Sequence, residues 1–404
     1  MGTTTRRTLI QTAVGGLALA STGLVGQLAR AGLPQGTLDS ALLESLPGKK
    51  PLIKRSYRPP NYESPLTAFA DVITPNDQFF VRWHLMNIPE VDPREWRLSI
   101  AGDAAATPIE FSLEQLRNDF ESVEVVAVCQ CAGNRRGLSD PHVLGVQWGS
   151  GAVGNARWRG VRLRDLLARA GLRKDAVEVA FAGGDLPALE STPQFVKSLP
   201  AWKAVDENTI VAYEMNGEAL PHWNGFPARL VVPGWAATYW TKQVTSIQAL
   251  SRPLSGFWMN PAYRIPKGKF PLVDRFVSQE SETNMPVTEI LVNSLITSVT
   301  DGQRCPVGRP VVVGGLAWDG GSGIREVDVS VDEGRSWESA ELGTSLGRYS
   351  FRAWRYAFTP HAKGQRIVMA RASSVQGSTQ TMELIFNGAG YHNNVAQRVA
   401  LQVI

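Results

Sequence analysis

The chain of 404 residues has little cysteine, with single thiols at positions 129, 131 and 305. No Cys-x-x-Cys-His segment occurs, so the chain has no attachment site for a c-type haem, and no four-ligand zinc pattern occurs either. An odd number of thiols leaves at least one outside any intrachain bridge. Cys129 and Cys131 would point to the same face of a strand, further apart than a disulfide allows. One of them is therefore available for a role other than bridging.

The sequence also lacks basic runs interleaved with aromatic residues, and its formal net charge is only +4. Such runs are typical of nucleic-acid-binding proteins, so we expect no nucleic-acid partner. Hydrophobic residues make up 43% of the chain and charged residues 19%, which is typical of a globular protein. The length allows two or three domains.

The first 31 residues have the features of an export signal. Arg6-Arg7 precedes a modestly apolar run over residues 13–25, and Ala29-Arg30-Ala31 has the form of a cleavage site. The apolar run is shorter than the roughly 20 residues of a membrane-spanning helix, which weighs against the alternative of a membrane anchor. We expect a twin-arginine signal peptide over residues 1–31, a periplasmic location and no membrane partner.

The composition of the next 250 residues predicts an arm, a mixed domain and a linker. Residues 32–65 are rich in Pro and Lys and are predicted to form an extended N-terminal arm. Residues 66–265 alternate strand-like and helix-like runs, which predicts an α+β domain, and residues 266–285 are predicted to form a linker. Ser112 and Gln115 have the spacing of a helix capping box. Further runs predict a helix over 160–172 and strands over 79–84, 123–129, 177–181, 210–213 and 228–232.

Short β-type runs fill residues 286–404, separated by turns such as Asp319-Gly320-Gly321. Seven such runs with regular turns are typical of an Ig-like β-sandwich. The predicted strands cover residues 290–294, 309–316, 326–331, 350–358, 365–373, 381–386 and 398–404.

The most informative segment is Cys131-Ala132-Gly133-Asn134-Arg135-Arg136. A thiolate is a ligand for soft metals, and arginine guanidinium groups bind oxyanions. The two arginines would also favour the thiolate form of the cysteine. The alternative is a buried thiol that packs as a small hydrophobic group. The combination predicts a metal centre that acts on a small anion.

This hexapeptide resembles the molybdenum-cysteine motif of the sulfite oxidase family. Several other segments resemble that family in the same order, and the similarity covers about residues 60–404. They are Gln147-Trp148, the stretch 151–161, Ala212-Tyr213-Glu214-Met215-Asn216-Gly217 and the stretch 225–234. The resemblance implies a molybdopterin-binding domain followed by the Ig-like sandwich.

The resemblance also implies a molybdenum-molybdopterin cofactor, one per chain, with Cys131 as the metal ligand and Cys129 as a packing residue. Arg229 and Lys242 are the natural partners of its phosphate, and Asp185 the natural acceptor for pterin N–H groups. Asn224 stands where the animal enzymes have His. The full set of implied cofactor-binding residues is Arg82, His84, Asp185, Asn224, Arg229, Trp240, Thr241 and Lys242.

For the substrate, the resemblance implies that Arg82 and Arg136 bind sulfite, that Tyr263 is the active-site phenol and that Trp148 lines the pocket. Arg135 is expected to serve the loop. The animal enzymes have a further arginine near the C-terminus, where this chain has Ala389. Whether Arg398 replaces that arginine is left open.

The implied reaction is oxidation of sulfite to sulfate, with two electrons passed one at a time to a c-type cytochrome. Because this chain lacks a haem site, the haem c is expected on a small partner subunit, in a heterodimer. The sandwich of relatives often forms a homodimer, and this alternative stays open. A second possible activity is that of a sulfane dehydrogenase, which acts on protein-bound sulfur in a thiosulfate-oxidising complex. A non-enzymatic adhesion module is a third alternative.

Overall fold

The computed structural model describes residues 43–268 and 283–404. Strands are its dominant element, because the chain is rich in apolar and β-branched runs. The predicted signal peptide and most of the predicted linker lie outside the described residues. No helix within the described ranges is long and apolar enough to cross a membrane.

The first part of the fold, up to residue 286, contains strands and short helices. Its elements are β1 (Leu43–Glu44), β2 (Leu52–Ser56), β3 (Asn61–Glu63), β4 (Val81–Arg82), β5 (Arg97–Ala101), β6 (Ile109–Ser112), α1 (Leu113–Asn118), β7 (Ser122–Gln130), β8 (Val153–Arg162), α2 (Leu163–Arg169), β9 (Glu178–Gly183), β10 (Val196–Pro200), α3 (Ala201–Ala204), β11 (Ile210–Met215), β12 (Glu218–Ala219), β13 (Arg229–Val231), β14 (Val244–Leu250), β15 (Arg264–Pro266) and β16 (Asn284–Pro286). Single 3₁₀ turns cover Leu66–Phe69, Asn76–Gln78, Arg136–Leu138, His222–Asn224 and Ala237–Tyr239.

Strands β1 to β4 pair in sequence order to form an N-terminal sheet. The prediction of an extended arm is therefore wrong for residues 43–63. Leu52 and Tyr62 are fully buried and pack against Val81 and Trp83, so the apolar residues of this segment belong to the folded domain.

Two further sheets form the body of this domain. One has the strand order β10-β9-β14-β5-β6, and the other has β12-β11-β8-β7, with β13 also paired to β11. The predicted capping box of α1 is confirmed, with both the Ser112 and the Gln115 bonds present. The helix predicted over 160–172 begins only at Leu163, because β8 continues to Arg162 and pairs with β11 through Gly160. In the strand predicted over 79–84, only Val81–Arg82 is extended and paired.

Residues 293–404 form two sheets that face each other, as predicted for a sandwich. Their strands are β17 (Asn293–Ile296), β18 (Arg304–Cys305), β19 (Val311–Trp318), β20 (Ile324–Ser330), β21 (Glu338–Ser339), β22 (Glu341–Leu342), β23 (Arg352–Phe358), β24 (Gly364–Ser374) and β25 (Gln397–Val403). The strand orders are β17-β19-β23-β22 and β18-β25-β24-β20-β21. Buried aliphatic side chains from both sheets, among them Val313, Val327 and Val368, form the core between them.

The strand predicted over 381–386 is wrong. These residues form no strand and instead begin a crossing segment, residues 381–396, which leaves the sandwich and packs on the first domain. Ile385 and Tyr391 lie in the same apolar cluster as Tyr263. The crossing segment therefore brings the C-terminal domain to the edge of the candidate site.

Arg135 joins the two domains at this crossing. Its guanidinium group donates to Val395 O (2.9 Å) and to Ser294 O (2.6 Å), and its own carbonyl accepts from Asn393 Nδ2 (3.1 Å). The side chain is fully buried, and this burial lowers its pKa to about 10. Arg135 thus serves the loop, as expected, by fixing it to the second domain.

Candidate active site

The hexapeptide begins immediately after β7, where the strand gives way to a tight loop. Cys131 N donates to Ala152 O (2.9 Å), and Arg135 N donates to Gly149 O (2.8 Å). Asn134 Oδ1 accepts from Ala152 N (3.0 Å). The loop is therefore held by main-chain bonds to residues 149–152, which fixes the direction of the Cys131 side chain.

A buried carboxylate supports residues 149–152 from behind. Glu63 Oε2 accepts from Gly149 N and Oε1 from Gly151 N, both at 2.8 Å, and Arg55 Nε donates to Oε2 at 2.7 Å. Glu63 is 1% exposed. It lies in β3, within the segment predicted as an arm, so the N-terminal sheet contributes to the site through the loop that carries Cys131.

An inner cavity of about 500 Å³ lies beside the end of β7. Six of the eight cofactor-binding residues implied by the sequence line it, together with both thiols of the Cys129–Cys131 pair and the aromatic residues Phe79, Phe80, Phe195 and Trp223. The six are Arg82, His84, Asn224, Arg229, Trp240 and Lys242.

The inner cavity is strongly cationic. Arg82, Arg229 and Lys242 line it, and no carboxylate does among the residues that the structure describes. Burial, and next the charge of Arg229, lower the pKa of Lys242 to about 7, and burial also lowers the pKa of Arg229. Cationic groups held without an anionic partner form a site for an anion, because an added negative charge restores their ordinary pKa values.

Asn224 is held by a lysine that the sequence did not single out. Lys49 is buried, and its Nζ donates to Asn224 Oδ1 (2.5 Å) and to Phe79 O (3.2 Å), while Asn224 Nδ2 donates to Phe80 O (3.1 Å). Burial lowers the pKa of Lys49 to about 7. The adjacent Lys50 is exposed, so nothing in the Lys49-Lys50 pair marks which lysine turns inward.

A second, outer cavity opens to solvent and has a volume of about 1340 Å³ including its mouth. Arg136 lines it; its Nε donates to Ala389 O (2.8 Å) and its Nη1 to Val146 O (3.1 Å). The Arg136 guanidinium also lies 5.2 Å from the ring centre of Tyr391. Ala389 and Tyr391 come from the crossing segment, so both domains form this wall.

The two cavities meet at three side chains, which are Cys131, Arg82 and Tyr263. Cys129 lines only the inner cavity and Arg136 only the outer one. A group bound in the inner cavity reaches the outer cavity at Cys131. Both thiols pack in the same apolar core, but Cys129 lines only the inner cavity, 3.9 Å from Arg229 Nη2, while Cys131 lies at the junction.

Tyr263 and His84 form a hydrogen-bonded pair at the junction, between the phenol oxygen and Nε2. The His84 ring stacks on Phe195 at 3.8 Å between centres, and the Tyr263 ring stacks on Tyr391 at 5.4 Å. Burial lowers the pKa of His84 well below its usual range, and the charge of Arg82 adds to this. Burial raises the pKa of Tyr263. The pair is therefore neutral at pH 7, a phenol beside an uncharged imidazole.

Three implied site residues do not line either cavity. Trp148, which was predicted to line the substrate pocket, has its side chain fully buried in the core of the first domain, and its carbonyl accepts from Gly137 N beneath the loop. Asp185 and Thr241 are buried and are not among the residues that line the inner cavity. Burial raises the pKa of Asp185, and Lys242 opposes that shift.

Arg398 also lies away from the site. It is a residue of β25 and pairs with Glu333 on the sandwich, so it does not replace an arginine of the pocket. The outer cavity has Arg82 and Arg136 as its cations within the described residues.

Each of the two domains matches a known protein family. Residues 85–258 match the oxidoreductase molybdopterin binding domain, and residues 284–404 match the Mo-co oxidoreductase dimerisation domain. Mitochondrial sulfite oxidase of Rattus norvegicus is 34% identical over 377 residues, which are 89% of this chain and 67% of that protein. The chain belongs to the sulfite oxidase family.

Other proteins that are similar to this chain have names that indicate different activities. NADH nitrate reductase of Solanum lycopersicum is 29% identical over 91% of this chain and 42% of its own length. The crystal structure of the sulfane dehydrogenase SoxCD from Paracoccus pantotrophus superposes with a TM-score of 0.73 and 26% identity, covering 91% of this chain and 88% of that one. The chain spans about two thirds of the length of the sulfite oxidases. Membership of this family therefore establishes that the chain is a molybdenum oxidoreductase, but it does not identify the substrate.

The residues present fit the molybdopterin cofactor of the family. Arg229 Nε and Thr241 Oγ1 are buried without a hydrogen-bond partner among the described residues, and buried polar atoms of native proteins are normally paired. Arg229 and Lys242 are suited to a phosphate. Cys131 supplies the soft sulfur ligand that a transition metal prefers. The residues of the inner cavity therefore fit a molybdopterin cofactor, and Cys131 is placed where it could serve as the metal ligand.

Proposed function

We propose that this protein oxidises sulfite to sulfate in the outer cavity. The observation that carries the proposal is the junction of the two cavities at Cys131, Arg82 and Tyr263. When bound, the molybdenum cofactor supplies the oxygen-atom transfer and accepts the two electrons. The protein supplies an anion site beside it, since Arg82 and Arg136 both face the outer cavity. The similarity to sulfite oxidases at 34% identity supports the same substrate.

Each of these residues has a distinct task in the proposed reaction. Arg82 and Arg136 bind the sulfite oxygens, which would leave the sulfur lone pair free to face the cofactor. Their fixed positions stabilise the charge that develops during the reaction. Tyr263 donates a hydrogen bond at the junction, and because the phenol has a single proton, neutral His84 orients it by donating from Nε2–H to the phenol oxygen.

The electrons are proposed to leave one at a time to a c-type cytochrome, carried by a small partner subunit. The chain itself has no haem attachment motif. The Arg6-Arg7 signal supports export to the periplasm in the folded state, a location shared by many c-type cytochromes. Co-purification of a haem protein from the periplasmic fraction tests both proposals, and a cytoplasmic enzyme without a haem partner would count against them.

The decisive experiment compares Cys131→Ser with Cys305→Ser. Both thiols are buried and free, but Cys305 lies in the sandwich core. We expect the wild-type protein to contain about one molybdenum per chain and to reduce cytochrome c with sulfite. Cys131→Ser should lose the activity while its circular dichroism stays unchanged, and Cys305→Ser should keep both. A fully active Cys131→Ser variant would exclude Cys131 as the ligand.

A second candidate, oxidation of protein-bound sulfane sulfur, is favoured by the mouth of the outer cavity. Leu144 is 88% exposed and Phe257 45% exposed at this mouth. The space is far larger than sulfite needs, and an apolar rim suits a peptide arm better than a small anion. The superposition on a sulfane dehydrogenase agrees with this interpretation. Assaying the enzyme with free sulfite and with a carrier-protein persulfide separates the candidates by their kcat/KM.

A further inference from the structure

Lys197 is a buried lysine that the proposed reaction does not use. It is the second residue of β10 and is 1% exposed. Its Nζ donates to Trp258 O at 2.7 Å. The same ammonium group lies 4.6 Å from the ring centre of Tyr239 and 5.0 Å from that of Tyr263. A single positive charge is thus enclosed by two aromatic faces and one carbonyl oxygen.

This arrangement is costly for a purely structural residue. Within the described residues Lys197 forms no ion pair, and a buried cation without an anionic partner is unfavourable. Burial, and next the charge of Arg264, lower its pKa to about 7, while Glu178 raises it. An apolar side chain of similar length would fill this space at lower cost. The lysine therefore has a reason to be there other than packing.

The neighbours of Lys197 indicate what that reason is. Tyr263 has a φ of +59°, a left-handed conformation that is strained for a bulky side chain and needs support from its surroundings. Trp258, whose carbonyl Lys197 holds, belongs to the same segment as Tyr263 and contacts the His84 ring edge-on at 5.1 Å. Lys197 thus touches Tyr263 directly on its ring face and indirectly through the Trp258 segment.

We propose that Lys197 is a positioning residue for the Tyr263–His84 pair, holding the phenol at the junction through its contact with the Tyr263 ring and its bond to Trp258 O. The role of the pair in sulfite oxidation rests on the proposed function, but its geometry does not. The cation on the ring face attracts the ring electrons, and the bond to Trp258 O fixes the segment that carries the strained Tyr263.

The test replaces Lys197 by Met, which keeps the length and removes the charge. Lys203→Met is the matched control, because Lys203 is also buried and lies 5.9 Å from the Trp235 ring centre, away from both cavities. The protein is labelled with 3-fluorotyrosine, and the ¹⁹F resonance of Tyr263, one of eight tyrosines, is assigned with Tyr263→Phe. This measurement depends on neither substrate nor turnover.

In Lys197→Met we expect the Tyr263 resonance to shift or broaden, and in Lys203→Met to stay in place. With sulfite as substrate, kcat should fall roughly ten- to a hundredfold while KM changes little, at unchanged molybdenum content. Lys197→Arg should recover part of the loss, and it also replaces the Met variant if that variant does not fold.

An unmoved Tyr263 resonance in Lys197→Met, or an equal effect of Lys203→Met, would overturn the proposal. A wild-type enzyme inactive on sulfite would instead remove the proposed function and leave the ¹⁹F result to decide the role of Lys197. The two failures are therefore distinguishable.

Discussion

Replacing Glu63 by Gln tests whether the N-terminal sheet holds the metal-ligand loop. Glu63 receives three hydrogen bonds, from Gly149 N, Gly151 N and Arg55 Nε. Glutamine has the same shape, but one oxygen becomes an NH₂ group, so one backbone N–H then faces a donor. Losing a bond to a charged acceptor costs about 1.5–3 kcal/mol, and a buried unpaired N–H about 1–3 kcal/mol. Because these contributions overlap, we expect the free energy of unfolding to fall by about 3 kcal/mol.

The assay measures urea unfolding by tryptophan fluorescence, together with molybdenum content. The content should fall as well, because Gly149 O and Ala152 O hold the Arg135 and Cys131 amides. Glu44→Gln is the control: Glu44 belongs to the same sheet but is partly exposed and bonds Lys54 and Tyr62. The free energy of unfolding of this control should change little, because ion pairs of partly exposed side chains contribute little to stability. If both variants lose the same small amount and keep their molybdenum, the reasoning is wrong.

Two further predictions concern residues at the edge of the site. Trp148→Phe should lower the free energy of unfolding by about 1–3 kcal/mol through lost packing, with the KM for sulfite unchanged; a raised KM with normal stability would return Trp148 to the pocket. Lys49→Met should flatten the pH dependence of stability between pH 7 and 10.5. The pKa of Lys49 is about 7 in the folded protein, against an ordinary lysine value of 10.5, so over this window the unfolded chain binds more protons and wild-type stability rises with pH. Thermal unfolding from about pH 6 to 11 measures the difference, and parallel curves for the two proteins would contradict it.

The sequence predicts features that depend on neighbours along the chain. The capping box at Ser112, the strand that ends beside Cys131 and the sandwich follow from local patterns. The inner-cavity residues follow from family motifs, and six of the eight lie together. The motif that contains Trp148 gives its place in the chain, but it does not indicate which side of the loop the indole faces.

The residues that the sequence did not single out contact partners that are far away along the chain. Glu63 supports a glycine 86 positions away, and Lys49 holds an asparagine 175 positions away. Both lie in a Pro- and Lys-rich segment whose composition is typical of an arm. Only the pairing of β2 with β3, and of β3 with β4, shows that this segment is inside the domain. Tyr391 was missed for a similar reason. It lies in the crossing segment, residues 381–396, which begins with residues predicted as a strand and passes to the other domain.

The hydrogen bonds of Arg135 determine how late in synthesis the loop that carries Cys131 can be completed. The loop that carries Cys131 is completed by Ser294 and Val395, which lie 159 and 260 positions further along the chain. During synthesis the ribosome delivers the loop long before these carbonyl groups. The metal-ligand loop therefore reaches its final form only after translation is nearly finished. A molecule truncated before the crossing segment would lack the bonds of Arg135 and Asn393 that fix this loop to the second domain.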